Sequence, residues 1–217
     1  MKKYELTNKT MDYCGNTLYR IRALKDFECQ GRQVKAGDLG GWIESEKNLS
    51  QDGDCWIFDS AAVFDNAKIF GNAAIRETAK IFGYAAIFGN AAIFGNAEIS
   101  GNAAIFGDAE ISGNAAIREK AKIYGNAEIF GNAYIPENAN ISKNETDILT
   151  ISHIGSRIDE VTFFRCNGSN IHVSCGCFRG SLVEFKQAVE KKHGDNKYGK
   201  EYKLAIELAK LHMEVEE

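Results

Sequence analysis

The sequence predicts a mainly β protein whose centre is a parallel β-helix, and two observations support this prediction. A six-residue phrase repeats without a gap from Ile57 to about Asn144: isoleucine, a large residue, Gly, Asn, Ala and a variable residue. Ala recurs four residues after nearly every repeat Ile, so each unit carries two apolar side chains that can point inward. Units of such short period must stack on their neighbours to bury their apolar faces. The period of six excludes pentapeptide solenoids and the longer leucine-rich and ankyrin repeats.

Each repeat is expected to supply one short strand and one corner, so that three repeats close a triangular coil of 18 residues. Gly at the third position can adopt a positive φ, and Asn at the fourth tolerates the same region, which is typical of a corner. The repeats make about five coils. With strands ~4.8 Å apart, the prism is roughly 24 Å long.

The repeated phrase resembles the hexapeptide repeat of left-handed β-helix proteins, a family that includes many acyltransferases. The resemblance implies a left-handed coil, although parallel crossovers are usually right-handed. The segment from Asp38 to Ile57, which begins Asp-Leu-Gly-Gly-Trp-Ile-Glu, resembles bacteriophage and prophage β-helix proteins, whose relatives are named as hexapeptide transferases. Cys175-Gly-Cys-Phe178 and His193-Gly-Asp-Asn-Lys-Tyr198 resemble a phage domain of unknown function. These resemblances imply a phage-related source.

We divide the chain into an N-terminal β cap (1–50), a β-helix (51–146) and a C-terminal α+β module (147–217). An open first coil would expose unpaired backbone groups, so a cap is required. We expect Leu39 and Trp42 to cover it. The stretch from Thr17 to Leu24 predicts a strand within the cap, because β-branched and aromatic residues alternate with arginines.

The C-terminal module is predicted to contain three strands followed by two helices. The strands are expected at 148–153, 161–166 and 171–175, with the last two forming a hairpin. Ser181 and Glu184 predict a capping box at the start of the first helix, which ends near Gly194. Asp195 or Asn196 is expected to cap the last helix.

Charge and cysteine usage indicate the class of partner and the compartment. The formal net charge of −4 comes with no basic patch, which argues against nucleic acid. Lys2 and Lys3 are not followed by an apolar run, and no apolar segment is long enough to span a membrane, so we expect neither a signal peptide nor membrane insertion. The six cysteines form no CxxC pair and are expected to remain thiols. The predicted location is the cytoplasm of a bacterial host cell.

The second position of each repeat points outward, yet it is aromatic in most repeats. Residues 18 apart stack on one prism face, which gives a first face (Phe58, Arg76, Phe94, Ser112, Phe130), a second face (Phe64, Phe82, Ser100, Arg118, Pro136) and a third face (Phe70, Phe88, Phe106, Tyr124). Only the third face contains an unbroken run of four aromatic residues, from Phe70 to Tyr124, and a contiguous exposed apolar surface normally marks a contact site. We expect it to join a homo-oligomer, a dimer or trimer, or to bind a protein partner. The alternative is that the terminal segments cover it.

Residues for catalysis are not evident, which favours a non-enzymatic role. The resemblance implies a histidine general base near a cleft between adjacent prisms, but all four histidines follow the solenoid and no loop interrupts the repeats. We therefore expect no catalytic residues, no cofactor and no acetyl transfer. Cys166, His172, Cys175 and Cys177 do not have the spacing of a structural zinc site, so no metal is expected.

The predicted function is that of a non-catalytic, phage-related binding protein. Its rigid prism would present the third face to a second copy and to a protein of the bacterial host. Inhibition of a host defence complex would suit such a protein, and that step depends on the phage resemblance alone. Two alternatives stay open: a structural or assembly protein of the virion, and a hexapeptide-type acyltransferase.

Overall fold

The computed structural model describes residues 2–135, 139–141, 144–166 and 170–215. Its N-terminal elements are β1 Tyr4–Tyr13, β2 Asn16–Ala23, β3 Phe27–Cys29, β4 Arg32–Val34, β5 Leu39–Ile43 and a 3-10 turn at Glu46–Asn48. The solenoid elements are β6 Trp56–Ile57, β7 Ala62–Val63, β8 Lys68–Ile69, β9 Ala74–Ile75, β10 Lys80–Ile81, β11 Ala86–Ile87, β12 Ala92–Ile93, β13 Glu98–Ile99, β14 Ala104–Ile105, β15 Glu110–Ile111, β16 Ala116–Ile117, β17 Lys122–Ile123, β18 Glu128–Ile129, β19 Tyr134–Ile135 and β20 Asn140–Ile141. The C-terminal elements are α1 Asn144–Asp147, β21 Ile148–Ile154, β22 Asp159–Arg165, β23 Ile171–Cys175, β24 Phe178–Ser181, α2 Leu182–His193 and α3 Lys197–His212.

The solenoid strands stack in parallel into three sheets, one for each face of the prism. The first face is β6-β9-β12-β15-β18, the second contains β7-β10-β13-β16-β19, and the third is β8-β11-β14-β17-β20. Pairing joins residues 18 apart, as in Ile87 opposite Ile105. The described strands thus make about five coils, and the predicted parallel β-helix is confirmed.

The inward register predicted for the repeat is also confirmed. Every repeat residue from Ile57 to Ile141 at the first position is at most 1% exposed, and so is every described Ala at the fifth position. These side chains form one continuous core along the axis. At the corners, the third-position glycines have φ values of 66–79°. Asp65 and Glu77 occupy the same left-handed region, and their carboxylates accept the backbone N–H of Gly83 and Gly95 in the next coil, at 3.0 and 2.9 Å.

The N-terminal sheet runs directly into the second face of the prism. β1 pairs with β2 and β2 with β5, both antiparallel, while β5 pairs in parallel with β7. The predicted strand at 17–24 corresponds to β2. β1 was not predicted because its middle is polar and exposed, so it lacks the apolar alternation of a half-buried strand.

The predicted cap of Leu39 and Trp42 is wrong. Leu39 is 44% exposed, and Trp42 lies on the outside of the prism, with the Arg20 guanidinium 5.1 Å above its ring. The reason is register: Ile43 takes the inward position opposite Val63, which leaves its neighbour Trp42 outside.

At the N-terminal end of the solenoid, Trp56 is 1% exposed and contacts two further rings. Tyr4 and Phe27 pack on it edge-on, with ring centroids 6.2 and 5.4 Å away. Lys3 is fully buried beside them, and its ammonium donates to the carbonyl oxygens of Gly53 and Cys55 at 3.2 and 2.9 Å. The cap thus satisfies a buried charge with backbone oxygens.

The C-terminal module is a four-stranded antiparallel sheet, β21-β22-β23-β24, covered by α2 and α3. The capping box is confirmed, since the Glu184 N–H donates to Ser181 Oγ and the Ser181 N–H donates to the Glu184 carboxylate. Asn196 caps α3. β24 was not predicted. Phe164 and Cys166 join the solenoid core and close its far end. Pro136, expected on the second face, lies outside the described residues.

Candidate protein interface

The four aromatic residues of the third face form a continuous stack, here called the aromatic ladder: Phe70, Phe88, Phe106 and Tyr124. Successive ring centroids are 4.9, 4.9 and 5.1 Å apart, and the ring planes differ by 4, 8 and 7°. The stack follows from the backbone, because in-register parallel strands place equivalent side chains one strand spacing apart. The chain therefore builds a rigid aromatic strip along the prism.

The ladder rings present their outer edges to solvent. Phe70 at the end of the stack is 39% exposed, and the other three are half-buried. Stacking already covers the faces of the inner rings. Each ring therefore offers a partner less than the ~150–250 Å² that a fully exposed aromatic side chain would bury.

Small residues flank the ladder on both sides. On one side lie the outward residues of the same strands, Ala86 and Ala104, with Lys68 and Lys122 beyond them at the two ends. On the other side the corner is glycine in every described coil: Gly71, Gly89, Gly107 and Gly125. The corners of the other two faces contain Asp or Glu at one or more of these positions. The third position of this corner thus carries no side chain, and the exposed side chains of Asn72, Asn90 and Asp108 at the fourth position hydrogen-bond to one another along it.

The N-terminal cap covers the aromatic residues at the start of the second face. Phe64 and Phe82 stack at 5.1 Å, as the ladder rings do, but Tyr13 packs on Phe64 at 5.5 Å. Leu18 from β2 is fully buried in the same cluster. Farther along, this face turns polar, with Glu98 between Lys80 and Arg118.

The first face is also covered at its start. The guanidinium groups of Arg32 and Arg76 lie 4.7 and 5.6 Å from the Phe58 ring, which is 9% exposed. Gln30 from the β3–β4 hairpin donates to the carbonyl oxygens of Asn72 and Asn90 along the neighbouring corner. Both hairpins of the cap thus lie over the first and second faces, while the described ring contacts of the ladder are those within the stack.

The residues considered for catalysis or metal binding are dispersed through the C-terminal module. His212 Nε2 lies 3.2 Å from the Ile148 carbonyl oxygen, and the His193 ring packs against Tyr202. Cys166 is buried in the solenoid core, where burial raises the pKa of its thiol to about 11. Cys177 lies in the turn after β23, exposed to solvent. Among the described residues, no group of three or more His, Cys, Asp or Glu side chains is placed to hold a metal ion.

Comparison with known proteins finds similarity to part of an Escherichia coli protein. No family model matches the chain. It is 38% identical over 71 residues to the "Uncharacterized acetyltransferase YdcK" of Escherichia coli strain K12, an alignment that covers 29% of this chain and 21% of the relative. The chain thus matches about a fifth of that protein's length. The hexapeptide-type resemblance is supported in part, and the phage source stays a prediction.

This similarity overturns the expectation that the protein is not an enzyme. That expectation came from the absence of histidine and of an inserted loop within the repeats, and a protein named as an acetyltransferase shares part of the sequence. No helix within the described ranges is long and apolar enough to cross a membrane.

Proposed function

We propose that this protein is a β-helix binding protein whose ladder face associates with a second copy of the chain. The observation that supports the proposal is the unbroken aromatic ladder, whose described ring contacts are all within the stack. Four rings held in register by the backbone lose little conformational freedom on binding, which lowers the entropic cost of association.

The expected interface extends beyond the rings. A specific interface buries about 1,200 Å² or more in total, and the exposed ring edges alone are too small for that. Ala86, Ala104 and the methylene groups of Lys68 and Lys122 would contribute the remaining apolar contact, since long lysine side chains cover apolar surface with their stems. A protein of the bacterial host, including a defence complex, would use the same strip.

The oligomeric state tests this proposal. Wild-type protein at micromolar concentration is expected to be a dimer or trimer by light scattering behind a sizing column. Phe88→Glu combined with Phe106→Glu places two carboxylates on each strip and should give a monomer with an unchanged circular dichroism spectrum. A monomeric wild type, or an oligomer that survives this double change, would contradict the proposal.

The first face offers a matched control. Phe94 and Phe130 occupy the same outward position in the repeat, and Phe130 is 53% exposed. Phe94→Glu with Phe130→Glu adds the same charge to the prism and removes the same number of rings. This variant should form an oligomer of the same mass as the wild type, because Ser112 separates the two rings and prevents a continuous strip on the first face.

A second candidate function is acetyl transfer, which the similarity to the Escherichia coli protein favours. All histidines lie between residues 153 and 212, so a histidine general base would act from the C-terminal module. Release of free thiol from acetyl-CoA, followed with a panel of amines and hydroxylated acceptors, tests this candidate. We expect release above the protein-free rate, and its loss when one of the four histidines is changed to Gln. No release with any acceptor would count against it.

A further inference from the structure

The C-terminal module contains a cavity of about 150 Å³ between the end of β23, the start of β24 and helices α2 and α3. Its floor is apolar and buried: Phe185, Val189 and Tyr202 are 3, 4 and 6% exposed. Phe178 and Ala188 form half-buried walls. An apolar cavity of about this size can hold one benzene ring.

The mouth of the cavity is cationic. Arg157 and Lys192 are exposed there, and His193 forms part of the wall. No Asp or Glu lines the cavity in the described part of the chain, and none of the ion pairs found there includes Arg157 or Lys192. The nearby Glu201 carboxylate is engaged, since it accepts the Gly155 N–H at 2.8 Å and pairs with Lys197.

One polar group reaches the apolar floor in a fixed position. The Cys175 thiol donates to the Tyr202 hydroxyl over 3.8 Å, and burial raises the pKa of Tyr202 to about 12, so the hydroxyl stays protonated near neutral pH. Gly155 permits this arrangement: a Cβ atom there would lie 1.9 Å from the Tyr202 hydroxyl oxygen. The floor thus combines aromatic contact with one hydroxyl group.

We propose that this cavity binds a small apolar monoanion, a carboxylate attached to one aromatic ring or a short acyl chain. The ring or chain would lie between Phe178, Phe185 and Val189, and the carboxylate would lie at the mouth between Arg157 and Lys192. Arg and Lys donate charge-assisted hydrogen bonds to carboxylates, and the apolar floor disfavours a charge placed deeper. The proposal depends neither on self-association nor on acetyl transfer.

Calorimetry with three probes tests the proposal on the full chain. Benzoate combines ring and charge, benzyl alcohol keeps the ring without the charge, and acetate keeps the charge without the ring. We expect benzoate to bind at least about tenfold more tightly than either, because each lacks one of the two contributions. Equal binding of benzoate and benzyl alcohol would overturn the proposal, and so would equal binding of benzoate and acetate.

Variants locate the binding. Arg157→Gln with Lys192→Gln changes two exposed residues, so the fold should persist and benzoate affinity should fall at least about tenfold. Lys186→Gln with Lys191→Gln removes the same charge from α2 outside the cavity and should leave affinity within about twofold of the wild type. Ala188→Phe fills the cavity and should abolish binding. An unchanged affinity in the Arg157 and Lys192 variant would refute the assignment, whatever the behaviour of Ala188→Phe.

Discussion

The second face and the ladder face carry the same chemistry in their first coils and differ in what lies over them. Phe64 and Phe82 stack with their planes 2° apart, as closely aligned as any pair in the ladder. The chain covers this pair with Tyr13 and Leu18 from its own N-terminal hairpin. An outward aromatic residue is therefore not a sign of an interface by itself. We propose that an interface is marked instead by a run of such residues that continues past the coils that the cap covers.

The corners extend this comparison. Along the ladder the third position of each described repeat is Gly, whereas the second face has Asp65 and Glu119 at the equivalent positions. The acidic residues adopt a strained positive φ, and Asp65 accepts the backbone N–H of Gly83 in return. Side chains are thus tolerated at the third position of corners of the second face and absent from that position beside the ladder. That difference favours close approach of another chain to the ladder face.

The largest expected effect comes from breaking the inward register that all three faces share. Ile105 is fully buried in the central coils, so Ile105→Ala should lower the free energy of unfolding by about 2–5 kcal/mol, and Ile105→Asp by more because it buries a carboxyl group. Ala116→Asp is the control, since this half-buried residue points outward in an equivalent strand. Urea denaturation measures the free energy of unfolding of the Ile105 variants and of the control. A stability of Ile105→Asp equal to that of the control would contradict the inward register.

A smaller effect is expected from removing the cover of the second face. Leu18 is fully buried against Ala62 and Phe64, so Leu18→Ala should cost about 2–5 kcal/mol, toward the lower end if the exposed hairpin relaxes into the gap. Thr17→Ala changes the exposed neighbour in the same strand and should lie within about 0.5 kcal/mol of the wild type. Chemical denaturation compares the two. A Leu18→Ala variant as stable as Thr17→Ala would show that the hairpin does not hold the second face.

The sequence was sufficient to predict the solenoid because its repeat is strict. One register assigns the inward Ile and Ala residues and, through the 18-residue coil, places Phe70, Phe88, Phe106 and Tyr124 in one column. The prediction fails where the repeat fails. β5 pairs with β7 at a separation of 20 residues, so Ile43 and Leu49 point inward where a backward extension of the repeat would place Ser45 and Gln51.

The covering of the second face could not be read from the sequence for a different reason. Tyr13 and Leu18 contact Phe64 across about 50 residues of chain, and no local pattern encodes a contact of that separation. The same holds for the cavity of the C-terminal module. Arg157, Lys192 and Tyr202 come from separate elements, and the sequence alone shows them only as exposed or helical residues.

The smallest expected effect separates a structural role of aromatic stacking from a role in binding. Phe88 stacks on a ring at each side, so Phe88→Leu should cost on the order of 1 kcal/mol from lost ring pairing within one chain.

If the ladder also joins two copies, the melting temperature of the wild type rises with protein concentration, because association stabilises the folded state by mass action. Phe88→Leu should weaken that dependence. Phe64→Leu, on the covered face, should lower the melting temperature equally at every concentration. Calorimetric scans over a hundredfold range of protein concentration measure the melting temperatures of both variants. If the melting temperature depends on concentration in the same way for both, the ladder only stabilises the prism.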